Sequence, residues 1–180
     1  MSIDERDGVA VQFGVPPEQV ERDHLISHLL AAISRGFGDR LYFIDGTALA
    51  RTYLASGRLS EDIDLVALDN RTALAAELDA ALPRSVARTY GRLEWAPSLS
   101  NVPDTGAAHL RSASGVSVKI QLLSARGRPV WPTELRDLEQ RYSDVPPAEL
   151  SCPHCPRLLP GRPQHGTTGA HHATCGIFGR

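Results

Sequence analysis

Asp45-Gly46-Thr47-Ala48-Leu49, followed by Arg58-Leu59-Ser60-Glu61-Asp62-Ile63-Asp64-Leu65, is the stretch whose reading decides the fold. Immediately before it, Leu41-Tyr42-Phe43-Ile44 reads as a short buried strand. A glycine where a strand turns into a helix lets the backbone approach a ligand closely. The following helix, read over Thr47–Ala55 with Leu49, Tyr53 and Leu54 inward, opens with free N–H groups and a positive dipole end, which suit phosphate. Thr47 can cap that helix or hydrogen-bond a phosphate oxygen. The next strand, Ile63 to Leu68, begins after Asp62. Alternation then sends the carboxylates of Asp62 and Asp64 to one face and Ile63 to the core.

Two carboxylates that face together repel each other unless a cation neutralises them. Mg2+ prefers oxygen ligands and keeps coordination positions open for phosphate. A phosphate-binding turn opposite such a pair is equipment for phosphoryl or nucleotidyl transfer. The plain alternative is an amphipathic edge strand with two solvated acids, and an Asp-Gly that is only a turn. Asp-x-Asp alone is a weak signal; its combination with Gly46-Thr47, Arg58 and Ser60 is far more specific.

Working outward, Pro16-Pro17-Glu18 opens a helix in which Val20, Leu25, Ile26, Leu29, Leu30 and Ile33 recur at helical spacing up to Gly36. Arg71 to Leu82 reads as an Ala/Leu-rich helix ended by Pro83, with strands around Val86–Thr89, His109–Ser112 and Val116–Leu123. Helices and strands in that order predict an α+β or α/β domain with a small mixed sheet.

The 180 residues carry 42% apolar and 22% charged side chains and a net charge of −2, an ordinary globular balance without a global basic field. No apolar run is long enough to span a bilayer, and Met1-Ser2-Ile3-Asp4-Glu5-Arg6 lacks the apolar core of a signal peptide. The expectation is a cytoplasmic protein with no membrane partner.

Every Asp and Glu lies within residues 1–150, which read as the folded core. Residues 151–180 hold none, but contain all three Cys, four of the seven His, four Pro and five Gly, so a boundary is placed near Leu150 and the tail is expected to be irregular and disordered. A zinc knuckle is a competing reading of the tail. Cys152-Pro153-His154-Cys155 would then be closed by His171, His172 or Cys175, giving a nucleic-acid module.

The run Gly46-Thr47-Ala48-Leu49 with Arg58-x-Ser60-x-Asp62-x-Asp64-Leu65 resembles the AbiEii/AbiGii (MenT-like) nucleotidyltransferase toxins of the polymerase-β superfamily. The resemblance covers about residues 15–150. It includes Glu21-Arg22-Asp23, Val118-Lys119-Ile120-Gln121-Leu122 and Trp131-Pro132-Thr133-Glu134. It implies an α+β, polymerase-β-like nucleotidyltransferase core with a small mixed sheet flanked by helices. It also implies a toxin of a type IV toxin–antitoxin or abortive-infection system, which moves a nucleoside monophosphate from an NTP to an RNA hydroxyl such as the tRNA 3′ end, with a cognate antitoxin as partner.

By the same resemblance, Asp62 and Asp64 hold Mg2+, Gly46 and Thr47 contact phosphate, and Arg58 and Ser60 shape or neutralise the pocket. Asp45 replaces the family's usual first glycine of the turn. Where a third carboxylate often stands, this chain has Lys119 and Gln121, and Lys119 is a candidate phosphate ligand. Arg84, Arg88, Arg92, Arg111, Arg126 and Arg128 could give an RNA acceptor a basic surface.

The family's C-terminal helical pattern is missing from the sequence. Read one base out of frame, residues 161–179 permit Lys-x-x-Ala-Trp-x-Asp-Arg-x-Ala-Pro-Arg-Asp-Leu-Trp-Asp-Leu-Trp, which resembles it. The expectation is therefore a frame break between about Leu150 and Gly161 and a truncated core of reduced or lost activity. A non-catalytic remnant that binds nucleotide or antitoxin is the alternative to an enzyme.

Overall fold

The computed structural model describes residues 1–54, 57–126 and 131–155. In chain order the elements are α1 (Ile3–Phe13), α2 (Pro17–Phe37), β1 (Leu41–Ile44), α3 (Asp45–Thr52), β2 (Asp62–Ala67), α4 (Arg71–Ser85) and α5 (Ala87–Tyr90). Then follow β3 (Leu93–Trp95), β4 (Ala107–Ser112), β5 (Ser117–Ser124), β6 (Thr133–Asp137) and β7 (Glu149–Pro153).

A five-stranded mixed sheet in the order β1-β2-β5-β4-β3 forms the centre, and β6 and β7 make a separate two-stranded ribbon. Among the described strands only β2 and β5 run parallel, in a register that sets Asp62 opposite Lys119 and Asp64 opposite Gln121. β1 pairs antiparallel with β2 and brings Ile44, the residue before the turn, beside Asp64. This is the expected α+β domain with a mixed sheet flanked by helices. α2 supplies the helical side of the core through Val20, Leu25, Ile26, Leu29, Leu30 and Ile33, all fully buried. Ile63, Leu65 and Ala67 of β2 are likewise buried, so the strand faces its apolar residues into the core as alternation predicts.

Several expectations are corrected. α2 runs through Gly36 to Phe37, because Gly36 keeps helical backbone and the cap falls at Gly38. α4 continues past Pro83. A proline inside a helix leaves the carbonyl four residues earlier without its donor, and that carbonyl, of Asp79, instead accepts from the Trp95 indole at 3.0 Å. The segment Val86–Thr89 is not a strand. Tyr90 N–H donates to the Val86 carbonyl, and of that segment only Val86 is buried, so no alternating face exists.

α3 buries Thr47, Ala48, Ala50 and Arg51, whereas Leu54 is exposed. Its inward face is organised around a buried cation rather than around Leu49, Tyr53 and Leu54. The N-terminal helix α1 has no counterpart in the sequence reading. It is capped by the Ser2 hydroxyl, which accepts from Glu5 N–H, and is closed by Gly14 at φ 64°. β7 spans the expected boundary at Leu150 and carries described chain to residue 155. The rest of the tail, with His171, His172 and Cys175, lies outside the described residues.

Candidate active site

Asp45 begins the site with a left-handed backbone, φ 70°. An L-residue adopts this only at some cost, and Asp tolerates it because its short side chain can bond locally. Here Asp45 Oδ1 accepts from Gly46 N–H at 2.8 Å. The turn therefore survives the replacement of glycine by aspartate. Gly46 lies under a guanidinium: a Cβ at this position would come within 2.8 Å of Arg58 Nη2. Arg58 is thus drawn over the turn, half-exposed, with Glu61 at 3.6 Å.

Asp62 and Asp64 stand two residues apart on β2, opposite Lys119 and Gln121 of β5. Asp62 is held on both oxygens. Oδ1 accepts from Thr47 Oγ1 at 3.1 Å, and Oδ2 accepts from Lys119 Nζ at 3.1 Å. Asp64 differs. It is 5% exposed, yet its Oδ1 is buried without a hydrogen-bond partner. Burial pushes its carboxyl up to about 6, the negative charges of Asp62 and Asp45 add to the shift, and Lys119 opposes it. Hydrogen bonding to Asp62 raises the pKa of Lys119 and keeps it cationic.

The site therefore gathers Asp45, Gly46, Thr47, Arg58, Asp62, Asp64 and Lys119 at the junction of β1, α3, β2 and β5. An all-oxygen pair of acids, one with a buried lone pair that no protein group satisfies, fits a hard divalent cation such as Mg2+. Gln121, opposite Asp64, turns its amide to the Thr105 carbonyl at 2.8 Å.

Ser60 belongs elsewhere. It is fully buried, and its hydroxyl accepts from Arg51 Nε at 2.8 Å, so it cannot meet a substrate in this arrangement. The pocket role expected of Ser60 gives way to one of support. Arg51, fully buried on α3, pairs with Asp23 of α2 at 2.7 Å and donates to the Glu139 carbonyl. Asp23 accepts in addition from Ser60 N–H at 2.6 Å and from the Tyr142 hydroxyl at 2.8 Å. This knot fixes the residue two places before Asp62 to two helices. Sequence reasoning passed over Arg51 and gave Asp23 no role. The available signal was an arginine inside a helix whose neighbours Ala48 and Ala50 are small and apolar.

The zinc-knuckle reading finds no support among the described residues. Cys152 and Cys155 are buried, and no cluster of metal-ligating side chains includes either. Burial pushes the Cys152 thiol up to about 12. Of the arginines proposed for RNA, Arg84, Arg88, Arg92, Arg111 and Arg126 are exposed, and Arg128 lies outside the described residues. No described helix is long and apolar enough to cross a membrane.

In fold the chain is similar to MenT4, a nucleotidyltransferase toxin from Mycobacterium tuberculosis. The match has a TM-score of 0.52 at 21% identity and covers 81% of this chain and 53% of that one. It is similar over 58% of its length, at 21% identity and a TM-score of 0.30, to 31% of terminal uridylyl transferase 4 from Trypanosoma brucei, solved with bound UTP. The chain spans about half the length of MenT4. No curated protein matches it in sequence.

The fold is that of a nucleotidyltransferase toxin. Residues 28–159 match the family described as "Nucleotidyl transferase AbiEii toxin, Type IV TA system", and the chain belongs to that family.

Proposed function

We propose that the chain transfers a nucleoside monophosphate from an NTP to an RNA hydroxyl, with the 3′ end of tRNA as the acceptor, and that a cognate antitoxin restrains it. The observation that carries this reading is the buried, unneutralised Asp64 carboxylate beside Asp62, under a glycine turn and within reach of Lys119.

Asp62 and Asp64 are the residues that would hold Mg2+, which when bound polarises a phosphoryl oxygen and stabilises charge on the attacking and leaving oxygens. The chain's own contribution is placement. Thr47 fixes one oxygen of Asp62, and the Arg51–Asp23–Ser60 knot fixes the strand entry. The backbone N–H groups opening α3 and the Arg58 guanidinium bind triphosphate oxygens. Lys119, 43% exposed, exchanges Asp62 for a phosphate oxygen as nucleotide enters. The exposed arginines of α4, α5, β4 and the end of β5 offer phosphate contacts to an acceptor RNA.

The test is incubation of the purified chain with radiolabelled NTPs, Mg2+ and total tRNA. Label transfer is expected, and Asp62→Ala is expected to reduce it by about 100-fold or more, since a catalytic metal contributes several kcal/mol to the barrier. Equal transfer by the variant contradicts the site. Nucleotide binding without transfer favours the non-catalytic remnant.

A further inference from the structure

α2 carries two histidines one turn apart, His24 and His28, on the face that meets the β6–β7 connection. Spacing of four residues stacks their rings on one face of a helix. The ring centroids are 4.6 Å apart with the planes nearly perpendicular. Asp144 closes the group. Its Oδ1 lies 2.9 Å from His24 Nε2, and its Oδ2 lies 3.8 Å from His28 Nε2. One ligand atom from each of the three residues fits within 4.8 Å of the others.

A tetrahedral zinc ion holds its donor atoms roughly 3.4 Å apart, given metal–nitrogen and metal–oxygen distances near 2 Å. The triad's ligand atoms, within 4.8 Å of one another, would draw together to hold it.

Two details point to a cation. His28 Nε2 is buried with no hydrogen-bond partner. His24 Nδ1 meets the Tyr90 hydroxyl at 2.5 Å, and that hydroxyl lies 3.2 Å from the Glu21 carbonyl. When Tyr90 donates to Glu21, His24 Nδ1–H donates to Tyr90, and the Nε2 lone pair faces the Asp144 carboxylate. Two acceptors at 2.9 Å repel unless a positive ion sits with them. In the opposite tautomer His24 Nε2–H donates to Asp144; this satisfies the pair but still leaves His28 Nε2 orphaned. Burial lowers the pKa of both histidines, so both offer neutral nitrogen at pH 7. Asp144 Oδ2 carries the Met1 ammonium at 2.5 Å, a pair that ligation through Oδ1 leaves in place.

We propose that His24, His28 and Asp144 form a second metal site that takes a zinc-class divalent ion and staples α2 to the β6–β7 connection. Two imidazoles and one carboxylate select zinc over Mg2+, which favours oxygen ligands alone. Three protein ligands leave a fourth position open. The Tyr90 hydroxyl orients His24 from behind, the usual arrangement for a ligating histidine. This site is independent of the Asp62–Asp64 pair.

The experiment is a Co2+ and Zn2+ titration of the chelator-treated full chain, read by metal analysis, cobalt absorption and thermal unfolding. One ion per chain is expected, with a cobalt spectrum free of thiolate charge transfer and a rise in Tm on adding Zn2+. His28→Gln and Asp144→Asn should both lose the ion and the rise in Tm, while Asp62→Asn and Cys155→Ser should keep both. Tyr90→Phe should weaken binding about 10- to 100-fold. Thiolate charge transfer, loss of the ion in Cys155→Ser with retention in His28→Gln, or the absence of stoichiometric binding would each overturn the proposal.

Discussion

Asp23 and Asp64 are both aspartates withdrawn from water, and the fold treats them in opposite ways. Asp23 is fully buried and receives the Arg51 guanidinium, the Ser60 N–H and the Tyr142 hydroxyl, with Arg141 at 3.8 Å. Asp64, at 5% exposure, keeps a buried oxygen without a partner and lies near two further carboxylates. A buried charge that the protein neutralises itself serves structure. One that the protein leaves bare costs stability until something from outside completes it. The contrast separates framework from site without reference to any relative.

The comparison can be broken most severely at Arg51. Arg51→Met leaves Asp23 in the interior with its main counter-ion gone, and removal of one partner of a buried pair costs about 3–5 kcal/mol. Urea unfolding at pH 7 should show that loss, and a change below about 1 kcal/mol would mean that Arg141 and Tyr142 suffice alone.

The opposite sign is expected at Asp64. Its folded pKa stands raised, from 3.8 to about 6, so the fold favours the protonated form. Stability from this group is complete below pH 3.8 and is lost as pH rises through 6. At pH 7 the ionised carboxylate costs about 3 kcal/mol, from roughly two pKa units at 1.36 kcal/mol each. Asp64→Asn should therefore stabilise the metal-free chain by up to that amount at pH 7 and hardly at all near pH 3. Mg2+ should stabilise the wild type and not the variant.

Lys119→Met should alter stability by less than about 1 kcal/mol, because the Lys119–Asp62 pair is partly exposed. Its effect belongs in nucleotide binding, where loss of one charge-assisted contact weakens affinity roughly tenfold. The smallest effect is expected from Asp45→Asn. Asn also tolerates the left-handed turn, so the fold should be kept while the Asp64 pKa moves back toward its ordinary value. An NMR titration of the Asp64 carboxyl would register it.

What the sequence disclosed follows from local periodicity. β1, β2, β5 and α2 announce themselves through alternation or helical spacing, and with them the shared face of Asp62 and Asp64 and the glycine turn beside it. Tertiary partners set the remainder. α4 passes Pro83 because Trp95, twelve residues on, takes up the abandoned carbonyl. β6 buries no residue fully and is held by its pairing with β7, whose Leu150 and Cys152 are anchored in the core. Ser60 looked like a pocket residue from its place in the motif. Its burial follows from Arg51 and Asp23, nine and thirty-seven positions away in sequence, which no local pattern joins. Asp45, which stands at the first position of the turn, makes a local bond to Gly46 and has a share in the charge that raises the Asp64 pKa.

The account stands most directly on whether Asp62 and Asp64 receive a cation together with a nucleotide. Fluorescence anisotropy of a labelled NTP, measured with Mg2+ and again with chelator, decides this for the wild type and Asp64→Asn. Saturable binding that requires Mg2+ and disappears in the variant is the predicted result. Binding of equal strength in the variant, or binding indifferent to Mg2+, would contradict it.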